Sequence, residues 1–360
     1  MKIRVAMLDG DKTYVSRFFD CFNKYYFENI ELYAFTNDDS LLEFLKCNKI
    51  DILLMHEDFC LNNNLEGNVI IIKLIEKISL ENQSKTILKY QKISLIYKEI
   101  LNEYSSVYKG QIKSTRTNSY NNTISFMSSG AGSGTSTIAS AFAISLIKKN
   151  KKVLFIDMQS FPTINCVFEA EGKFTMSEIM YAIKSKKADL SLRIESALKV
   201  DNSGVNFYDP CKNPLERNEI TAENLITLLE KLKEITNYDY IIIDIDFLLN
   251  ETCLKLLNYS DSVVFVSNTT DENYLKLSSI LKSIEILQLK NNENYIEKVN
   301  IIYNKYVNGR GMLIDKFDVN IIGYIPKYSD SNIKRLVDEI SISNIFDNIL
   351  ESGGIYGFKV

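Results

Sequence analysis

The stretch from Thr123 to Lys149 constrains the fold more than any other part of this 360-residue chain. It begins with the apolar run TISFMSS, continues through the glycine-rich SGAGSGTST and enters TIASAFAISLIKK, whose small and apolar residues suit packing on a sheet. A strand, a tight turn and a helix in this order form the building unit of parallel α/β sheets. The chain is therefore expected to contain a mostly parallel sheet flanked by helices.

Further apolar runs that end in polar residues predict the other strands of this sheet. They are KKVLFID, YDYIIIDID, DSVVFVSN, KVNIIYNKY and VNIIGYIP. Ahead of the glycine-rich loop, KIRVAML, IELYAF, IDILLM, NVIIIKL and KTILKY alternate with helical patterns, including helices near 40–45 and 93–104, and predict a second parallel sheet. A polar stretch rich in serine, asparagine and lysine separates the two series at 105–122 and predicts a linker. We therefore expect two α/β domains, at 1–104 and 123–360.

The charge and cysteine content argue against several classes of function. With a formal net charge of −4 and a pI near 5.4, the chain has no general polycationic surface, so we expect no nucleic-acid partner and membrane association only through other proteins. The six cysteines contain no CxxC pair, which argues against zinc sites and a disulfide framework. The first apolar run leads into Asp9 and Asp11 and is too short for a signal peptide or a membrane span, so the expected location is the cytoplasm.

The glycine-rich loop approximates the phosphate-binding pattern G-x-x-x-x-G-K-[ST]. With Gly134 as its second glycine, Ser129 stands at the first glycine, Thr135 at the lysine and Ser136 at the hydroxyl that binds magnesium. Its glycines let backbone N–H groups converge on a phosphate at the start of a helix. Two alternatives stay open, namely a turn without a ligand and a dinucleotide turn, although GAGSG lacks the G-x-G-x-x-G spacing. The candidate phosphate-binding residues are Gly130, Ala131, Gly132, Ser133, Gly134, Thr135, Ser136 and Thr137.

Two aspartates stand at the ends of predicted strands. Asp157 ends KKVLFID and Asp244 ends YDYIIID. Because the carboxyl ends of parallel strands meet at one edge of a sheet, these aspartates and Ser136 are candidates to hold Mg²⁺, Asp244 through a water molecule. Asp246 is a weaker candidate. Each aspartate is alternatively explained as the cap of a loop or helix at the strand end.

These motifs resemble the deviant Walker A loop and the following strand of ParA/MinD-type ATPases. The loop of that family reads KGGxGKT[ST], so Gly130 stands at its signature lysine and Thr135 at the ordinary phosphate-binding lysine. The resemblance implies a domain that binds ATP and Mg²⁺. Because both lysines are replaced, it also implies weak hydrolysis or none.

The same resemblance assigns further positions. Asp157 matches the switch I aspartate of the family, whereas Gln159 replaces its second aspartate and cannot act as a base. Asn304 and Pro326 match the positions from which the family contacts the adenine base. Arg310 is a candidate for a replacement cation.

The N-terminal domain resembles a response-regulator receiver with a flavodoxin-like fold. Asp9 and Asp11 match the acidic end of its first strand, and Lys89 matches the lysine near its last strand. The position of the phosphoacceptor aspartate falls on His56, the one histidine of the chain. The resemblance therefore implies an atypical receiver that works without phosphorylation, while a phosphorylated or pH-sensing His56 and an acceptor at Asp58 stay open.

A receiver of this kind ahead of a ParA/MinD-like domain resembles the TadZ/CpaE proteins. That resemblance implies a homodimeric scaffold that binds pilus or secretion assembly proteins and places a Tad (type IVb) pilus at the cell pole. The alternative is a cycling positioning ATPase for the division site or for flagella. Such ATPases often carry a C-terminal membrane helix, whereas Ile345, Phe346, Ile349 and Leu350 stand on an acidic background and predict the last helix of the fold. A phosphorylation-driven transcription regulator is a third reading, weakened by His56 and by the lack of a basic recognition helix.

Overall fold

The structure, a computed structural model, divides the described residues into two compact units. One unit lies within 1–114 and 181–197, and the other lies within 115–180 and 198–360. The described residues are 2–60, 69–77, 85–108, 122–186, 189–307, 311–329 and 332–352. Within these ranges no helix is both long enough and apolar enough to span a bilayer.

The first unit is built from alternating strands and helices. Its elements before the second unit begins are β1 (Ile3–Leu8), α1 (Lys12–Tyr25), β2 (Ile30–Phe35), α2 (Asp38–Leu45), β3 (Ile52–His56), β4 (Ile70–Ile75), β5 (Thr86–Leu88) and α3 (Ile93–Val107). The strand order is β2-β1-β3-β4-β5 with every pair parallel, which is the flavodoxin-like order. The sequence prediction of a parallel receiver-like sheet is therefore confirmed.

A helix from a distant part of the chain belongs to this first unit. Helix α6 (Leu190–Ala197) packs along α3 and places Leu192 in the same hydrophobic core as β1 and β3. The hydroxyl of Tyr97 on α3 donates to Glu195 Oε1 at 2.6 Å, and Asn29 Nδ2 donates to the same hydroxyl at 2.8 Å. The core of the first unit is thus completed by a helix that begins 83 residues after the end of α3 and directly follows α5 (Met176–Ser185).

The second unit contains the glycine-rich loop. Its remaining elements are β6 (Asn122–Ser128), α4 (Thr135–Lys148), β7 (Val153–Asp157), β8 (Lys199–Val200), β9 (Asn206–Phe207), α7 (Pro214–Asn218), α8 (Ala222–Ile235), β10 (Tyr240–Ile245), α9 (Glu251–Tyr259), β11 (Ser262–Ser267), α10 (Asp271–Asn291), β12 (Val299–Tyr306), β13 (Asn320–Pro326), α11 (Ile333–Ile340) and α12 (Ile345–Ser352), with short 3₁₀ helices at Ile164–Cys166 and Ile296–Lys298.

The sheet of this unit has eight strands in the order β13-β12-β11-β6-β10-β7-β9-β8. All pairs are parallel except the antiparallel pair of β8 with β9. β6 lies in the middle of the sheet, between β10 and β11, so the loop that follows it opens at the centre of the carboxyl edge. The predicted mostly parallel sheet is confirmed.

The C-terminal helix α12 is part of the core of the second unit. Ile345, Phe346, Ile349 and Leu350 are buried in one cluster with residues of α4, and the rings of Phe142 and Phe346 lie 5.5 Å apart. These four apolar side chains therefore cover the sheet and are not available to a membrane.

The predicted domain boundaries stay a prediction. Helix α3 continues to Val107 and β6 begins at Asn122, and most of the proposed linker, 109–121, lies outside the described residues.

Candidate phosphate-binding site

The loop between β6 and α4 turns through two glycines with left-handed backbone conformations. Gly132 has φ +72° and Gly134 has φ +85°, values that residues with a side chain rarely adopt. A Cβ atom at Gly134 would also lie 2.3 Å from Nδ2 of Asn304, so a larger residue does not fit there. Gly134 thus lets the chain enter α4 while remaining in contact with β12.

Several donors of this loop have no partner within the described part of the chain. The backbone N–H groups of Ala131, Gly132 and Gly134 donate to no acceptor there, and they precede the N-terminus of α4. A helix N-terminus carries partial positive charge and unpaired N–H groups. The backbone of the loop is therefore suited to bind an anion such as a phosphate.

The end of β12 holds the loop in place from outside. Asn304 Nδ2 donates to the carbonyl oxygen of Ser133 at 2.8 Å, and Lys305 Nζ donates to that of Gly132 at 2.7 Å. Asn304 is 5% exposed, and its Oδ1 accepts from the backbone N–H of Lys305 at 2.9 Å. Lys305 has φ +55°, a costly conformation for a lysine that turns its side chain to the loop. The amide group of Asn304 therefore contacts the loop through Nδ2 and its own strand through Oδ1.

Three hydroxyl groups at the end of the loop are also paired. Ser133 Oγ and Thr135 Oγ1 share a hydrogen bond of 2.9 Å, and both residues are buried. The Ser136 hydroxyl, at the start of α4, donates to Gln159 Oε1 at 3.1 Å. Thr135 thus fills the lysine position of the pattern with a small buried side chain, and Gln159 contacts the residue expected to bind magnesium.

Asp157 and Asp244 lie side by side on the neighbouring strands β7 and β10. Asp157 accepts backbone hydrogen bonds of 2.9–3.0 Å from Gln159, Thr163 and Ile164, so it stabilises the turn that follows its strand. Asp244 is 1% exposed, and neither of its carboxyl oxygens accepts a hydrogen bond from a described residue. Both aspartates line one small cavity with Ser136 and Thr137.

The carboxyl group of Asp244, which accepts no hydrogen bond from a described residue, is the main indication of a magnesium site. Burial, together with the nearby charges of Asp157 and Asp246, raises the pKa of Asp244 well above its usual range, although the neighbouring Ser136 hydroxyl opposes this shift. A bound cation would stabilise the carboxylate. Hydroxyl and carboxylate oxygens suit Mg²⁺, and Ser136 and Asp244 fit this requirement. The described residues contain no cluster of three or more histidine, cysteine or acidic side chains that could hold a metal by themselves. Mg²⁺ in general keeps several waters and is bound by few protein groups together with substrate phosphates.

Two other predicted positions, Pro326 and Arg310, are not among these contacts. Pro326 is the exposed last residue of β13 and pairs in register with Tyr306, two residues after Asn304. Arg310, considered as a replacement cation, lies outside the described residues.

Arg217 is a basic residue near the site that the sequence patterns did not identify. Its guanidinium, on α7, donates through two nitrogens to the carbonyl oxygen of Met158, directly after Asp157. Burial lowers the pKa of Arg217, and no ion-pair partner for it is seen among the described side chains. Arg217 and Asp157 line a cavity of about 190 Å³. No sequence motif marks Arg217, because a contact to a carbonyl oxygen 59 residues away depends on the fold.

The acidic end of the receiver-like sheet is neutralised by a lysine of the same unit. Lys89 Nζ lies 3.1 and 2.9 Å from the two carboxyl oxygens of Asp9, and both side chains are buried. Asp11 accepts from the backbone N–H groups of Thr13 and Tyr14 and so caps α1. These contacts give a partner to each of the two aspartates that match the acidic end of a receiver, although Asp9 Oδ2 accepts no hydrogen bond from a described residue.

His56 ends β3 among carboxylates. Its Nδ1 lies 3.3 Å from Asp58 Oδ2, and its Nε2 lies 3.9 Å from Glu76 Oε1. Nε2 is buried without a hydrogen bond to a described residue. The two neighbouring negative charges disfavour a phosphoryl group on this histidine.

Two family models match the chain. Residues 1–105 match the model of the TadZ-like receiver domain, and residues 121–297 match the model of an AAA domain. No curated protein matches the sequence.

Solved structures of low sequence identity resemble about two thirds of the chain. A ParA family ATPase from Chlorobium tepidum TLS is 19% identical, with a TM-score of 0.50, and the match covers 66% of this chain and 98% of that one. The MinC:MinD cell division protein complex of Aquifex aeolicus is 18% identical, with a TM-score of 0.46 and coverage of 66% and 97%. MinD of Pyrococcus horikoshii OT3 complexed with Mg-ADP is 15% identical, with a TM-score of 0.44 and coverage of 66% and 96%.

Proposed function

Since the chain joins a TadZ-like receiver domain to an AAA domain of the ParA/MinD type, we propose that it is an ATP-binding scaffold that positions a Tad pilus or secretion machinery. In this proposal bound ATP and Mg²⁺ act mainly as structural ligands, and hydrolysis is slow or absent. The chain works in the cytoplasm and gathers at the cell pole through its partners.

The loop geometry is the observation that supports ATP binding. Its backbone keeps unpaired N–H donors at the start of α4, and Asn304 and Lys305 hold its carbonyl groups from outside. A lysine contact to phosphate is one charge-assisted bond among several donors, so its loss weakens binding without abolishing it. Ser136 would supply an oxygen ligand to Mg²⁺, and Asp244 would hold the ion through a water molecule.

The side chains around the loop argue against fast hydrolysis. Gly130 and Thr135 bring no charge to the phosphates, and a cation on the transferring phosphoryl group is worth about 10³ to 10⁵ in rate. Gln159 carries no basic group, and Asp157 is engaged by three backbone N–H donors. The nucleotide therefore remains bound as ATP, and the ATP-bound domain associates with a second copy of itself.

The receiver-like unit serves protein contacts in this proposal. Two observations support a unit that works without phosphorylation. Lys89 already pairs with Asp9, and a carboxylate lies next to His56. Pilus or secretion assembly proteins are its proposed partners.

A cycling positioning ATPase is the alternative, and the unpartnered Asp244 favours it. A buried carboxylate beside Ser136 is the group that would organise Mg²⁺ for turnover. The two functions differ in one measurable quantity, the rate of phosphate release.

We would titrate the full chain with ATP, ADP and GTP in Mg²⁺ by calorimetry and follow phosphate release from the same samples over hours. ATP binding without release above the buffer rate supports the scaffold. Steady release supports the cycling ATPase, and absence of binding contradicts both.

A pair of glycine variants provides the control. Gly134→Ala forces a side chain into a left-handed conformation and against Asn304, so it should abolish ATP binding. Gly204→Ala imposes a similar backbone strain, at φ +91°, away from the loop and should bind ATP as the unmodified chain does. Equal loss in both variants would mean that the effect of Gly134→Ala is general destabilisation.

A further inference from the structure

The first glycine of the loop lies against side chains of α10. A Cβ atom at Gly130 would lie 2.3 Å from Asn273 Oδ1 and 3.3 Å from Lys276 Cδ. Gly130 does not have a positive φ, in contrast to Gly132 and Gly134, so its backbone conformation alone does not require glycine. The space beside Gly130 is taken by α10, and this contact explains why position 130 has no side chain.

Asn273 is held in a fixed orientation in the first turn of α10. It is 6% exposed, and its Nδ2 donates to Asn268 Oδ1 at 2.7 Å and to Thr270 Oγ1 at 3.0 Å. These bonds direct Oδ1 toward Gly130, where it has no hydrogen-bond partner among the described residues. A buried acceptor without a donor is unfavourable, so the site is suited to receive one.

Lys276 can bring such a donor. Its aliphatic chain passes over Gly130, and its ammonium lies two bonds beyond the contacting Cδ atom. That ammonium pairs at 2.6 Å with Glu272, four residues earlier on the same exposed face of α10. An exposed pair of this kind contributes little stability, and an ammonium has three donors, so the pair can be exchanged for a stronger anion at small cost.

We propose that Lys276 supplies to a nucleotide phosphate the positive charge that the loop lacks, and that Gly130 and Asn273 make the room for it. This inference rests on the proposed ATP binding. When the phosphates occupy the loop, the Lys276 ammonium leaves Glu272 and donates to a phosphate oxygen and to Asn273 Oδ1. Gly130 lies at the opposite end of the loop from α4, so the contact is to the outermost phosphate and favours ATP over ADP.

The matched lysines of α10 test the proposal. Lys276→Met in the full chain should weaken ATP binding by about 10-fold, the loss expected for a charge-assisted contact, and leave ADP binding nearly unchanged. Lys276→Arg should retain most of the affinity. Lys282→Met removes another exposed lysine of the same helix and should bind both nucleotides like the unmodified chain.

The outcomes separate this inference from the proposed function. Unmodified protein that binds neither nucleotide overturns both. Unmodified protein that binds ATP while Lys276→Met binds it equally well overturns this inference alone, and so does an equal loss for ATP and ADP.

The steric part of the proposal is tested without nucleotide. Gly130→Ala should lower the thermal unfolding temperature because its methyl group meets Asn273, and adding Asn273→Gly should restore much of the loss. Simple additivity of the two substitutions would show that Gly130 and Asn273 are not a matched pair.

Discussion

Asp244 and Asp157 are neighbouring carboxyl groups with different uses. The sequence placed both at strand ends, and the register of β10 with β7 brings them together. The sequence alone did not show which aspartate binds magnesium and which caps a loop. The three N–H groups that donate to Asp157 come from the turn at 159–164, and the conformation of this turn cannot be derived from the residue order. Asp244, with no such partners, is the better candidate for magnesium.

Replacing Asp244 should therefore remove the effect of magnesium on nucleotide binding. Asp244→Asn keeps the size of the side chain but loses its charge, so ATP affinity in Mg²⁺ should fall by about 10-fold or more, to the value measured in EDTA. Calorimetric titrations with and without Mg²⁺ check this. Asp246→Asn is the control, because Asp246 accepts from the backbone N–H of Ser160 and should keep the magnesium effect. A magnesium effect that survives in Asp244→Asn would contradict the assignment.

Lys305 should influence nucleotide binding through the loop. Because its ammonium holds the carbonyl oxygen of Gly132, Lys305→Met should weaken ATP and ADP equally, by about 3-fold, the size of one ordinary hydrogen bond. Lys298→Met is matched, since Lys298 also donates to a backbone carbonyl, that of Asn258, and it should have no effect. A selective loss of ATP binding in Lys305→Met would instead assign the phosphate contact to Lys305.

At the scale of elements, the strands and the loop were predictable and the position of α6 was not. Apolar runs ending in polar residues define buried parallel strands locally, and the glycine-rich turn marks the β6 to α4 connection. The contact of α6 with α3 joins Tyr97 to Glu195, residues 98 positions apart, and Leu192 reaches the core of a sheet formed by the first hundred residues. No local pattern encodes such a pairing. Lys276 and Asn273 were missed for the same reason, since their proximity to Gly130 depends on how α10 packs.

The α3 to α6 contact should make stability depend on pH. Burial raises the pKa of Glu195 above its ordinary value of 4.5, although the Tyr97 hydroxyl opposes this shift. The folded state therefore holds the proton more tightly than the unfolded state, so the stability contributed by this group is present below pH 4.5 and decreases as the pH rises through the folded pKa. Glu195→Gln keeps an acceptor for Tyr97 and cannot ionise, so its thermal unfolding temperature should rise above that of the unmodified chain toward neutral pH.

Glu28→Gln changes an exposed carboxylate of the same unit and should show no such trend. Parallel pH curves for Glu195→Gln and the unmodified chain would refute the prediction.

At the scale of the whole molecule, the chain passes from the first unit to the second, returns for 181–197 and leaves again. The prediction of two successive α/β domains describes the strand order well, because each sheet is built from one continuous series of strands. It does not describe this return, which makes α6 a part of the first unit although α5 before it lies partly in the second unit and β8 after it lies wholly there.

The return of the chain should couple the unfolding of the two units. Both ends of 181–197 continue into the second unit. If the second unit unfolds, the chain between α3 and α6 becomes a long flexible loop, and keeping α6 packed on α3 then has an entropic cost. ATP at about 100 times its Kd stabilises the folded state by about 2.7 kcal/mol. For a unit of this size that corresponds to a rise of roughly 5–10 °C in Tm. In scanning calorimetry of the full chain, ATP and Mg²⁺ should therefore shift the unfolding of both units together.

Weakening the attachment of α6 should separate the two transitions. Leu192→Ala removes a buried side chain from the core of the first unit, at a cost of about 2–5 kcal/mol. In this variant the transition of the first unit should occur at lower temperature and no longer respond to ATP, whereas that of the second unit should still shift. If the unmodified chain already shows two transitions and ATP moves only one, the units unfold independently and 181–197 does not link them. If ATP still moves both transitions equally in Leu192→Ala, the coupling does not depend on the docking of α6.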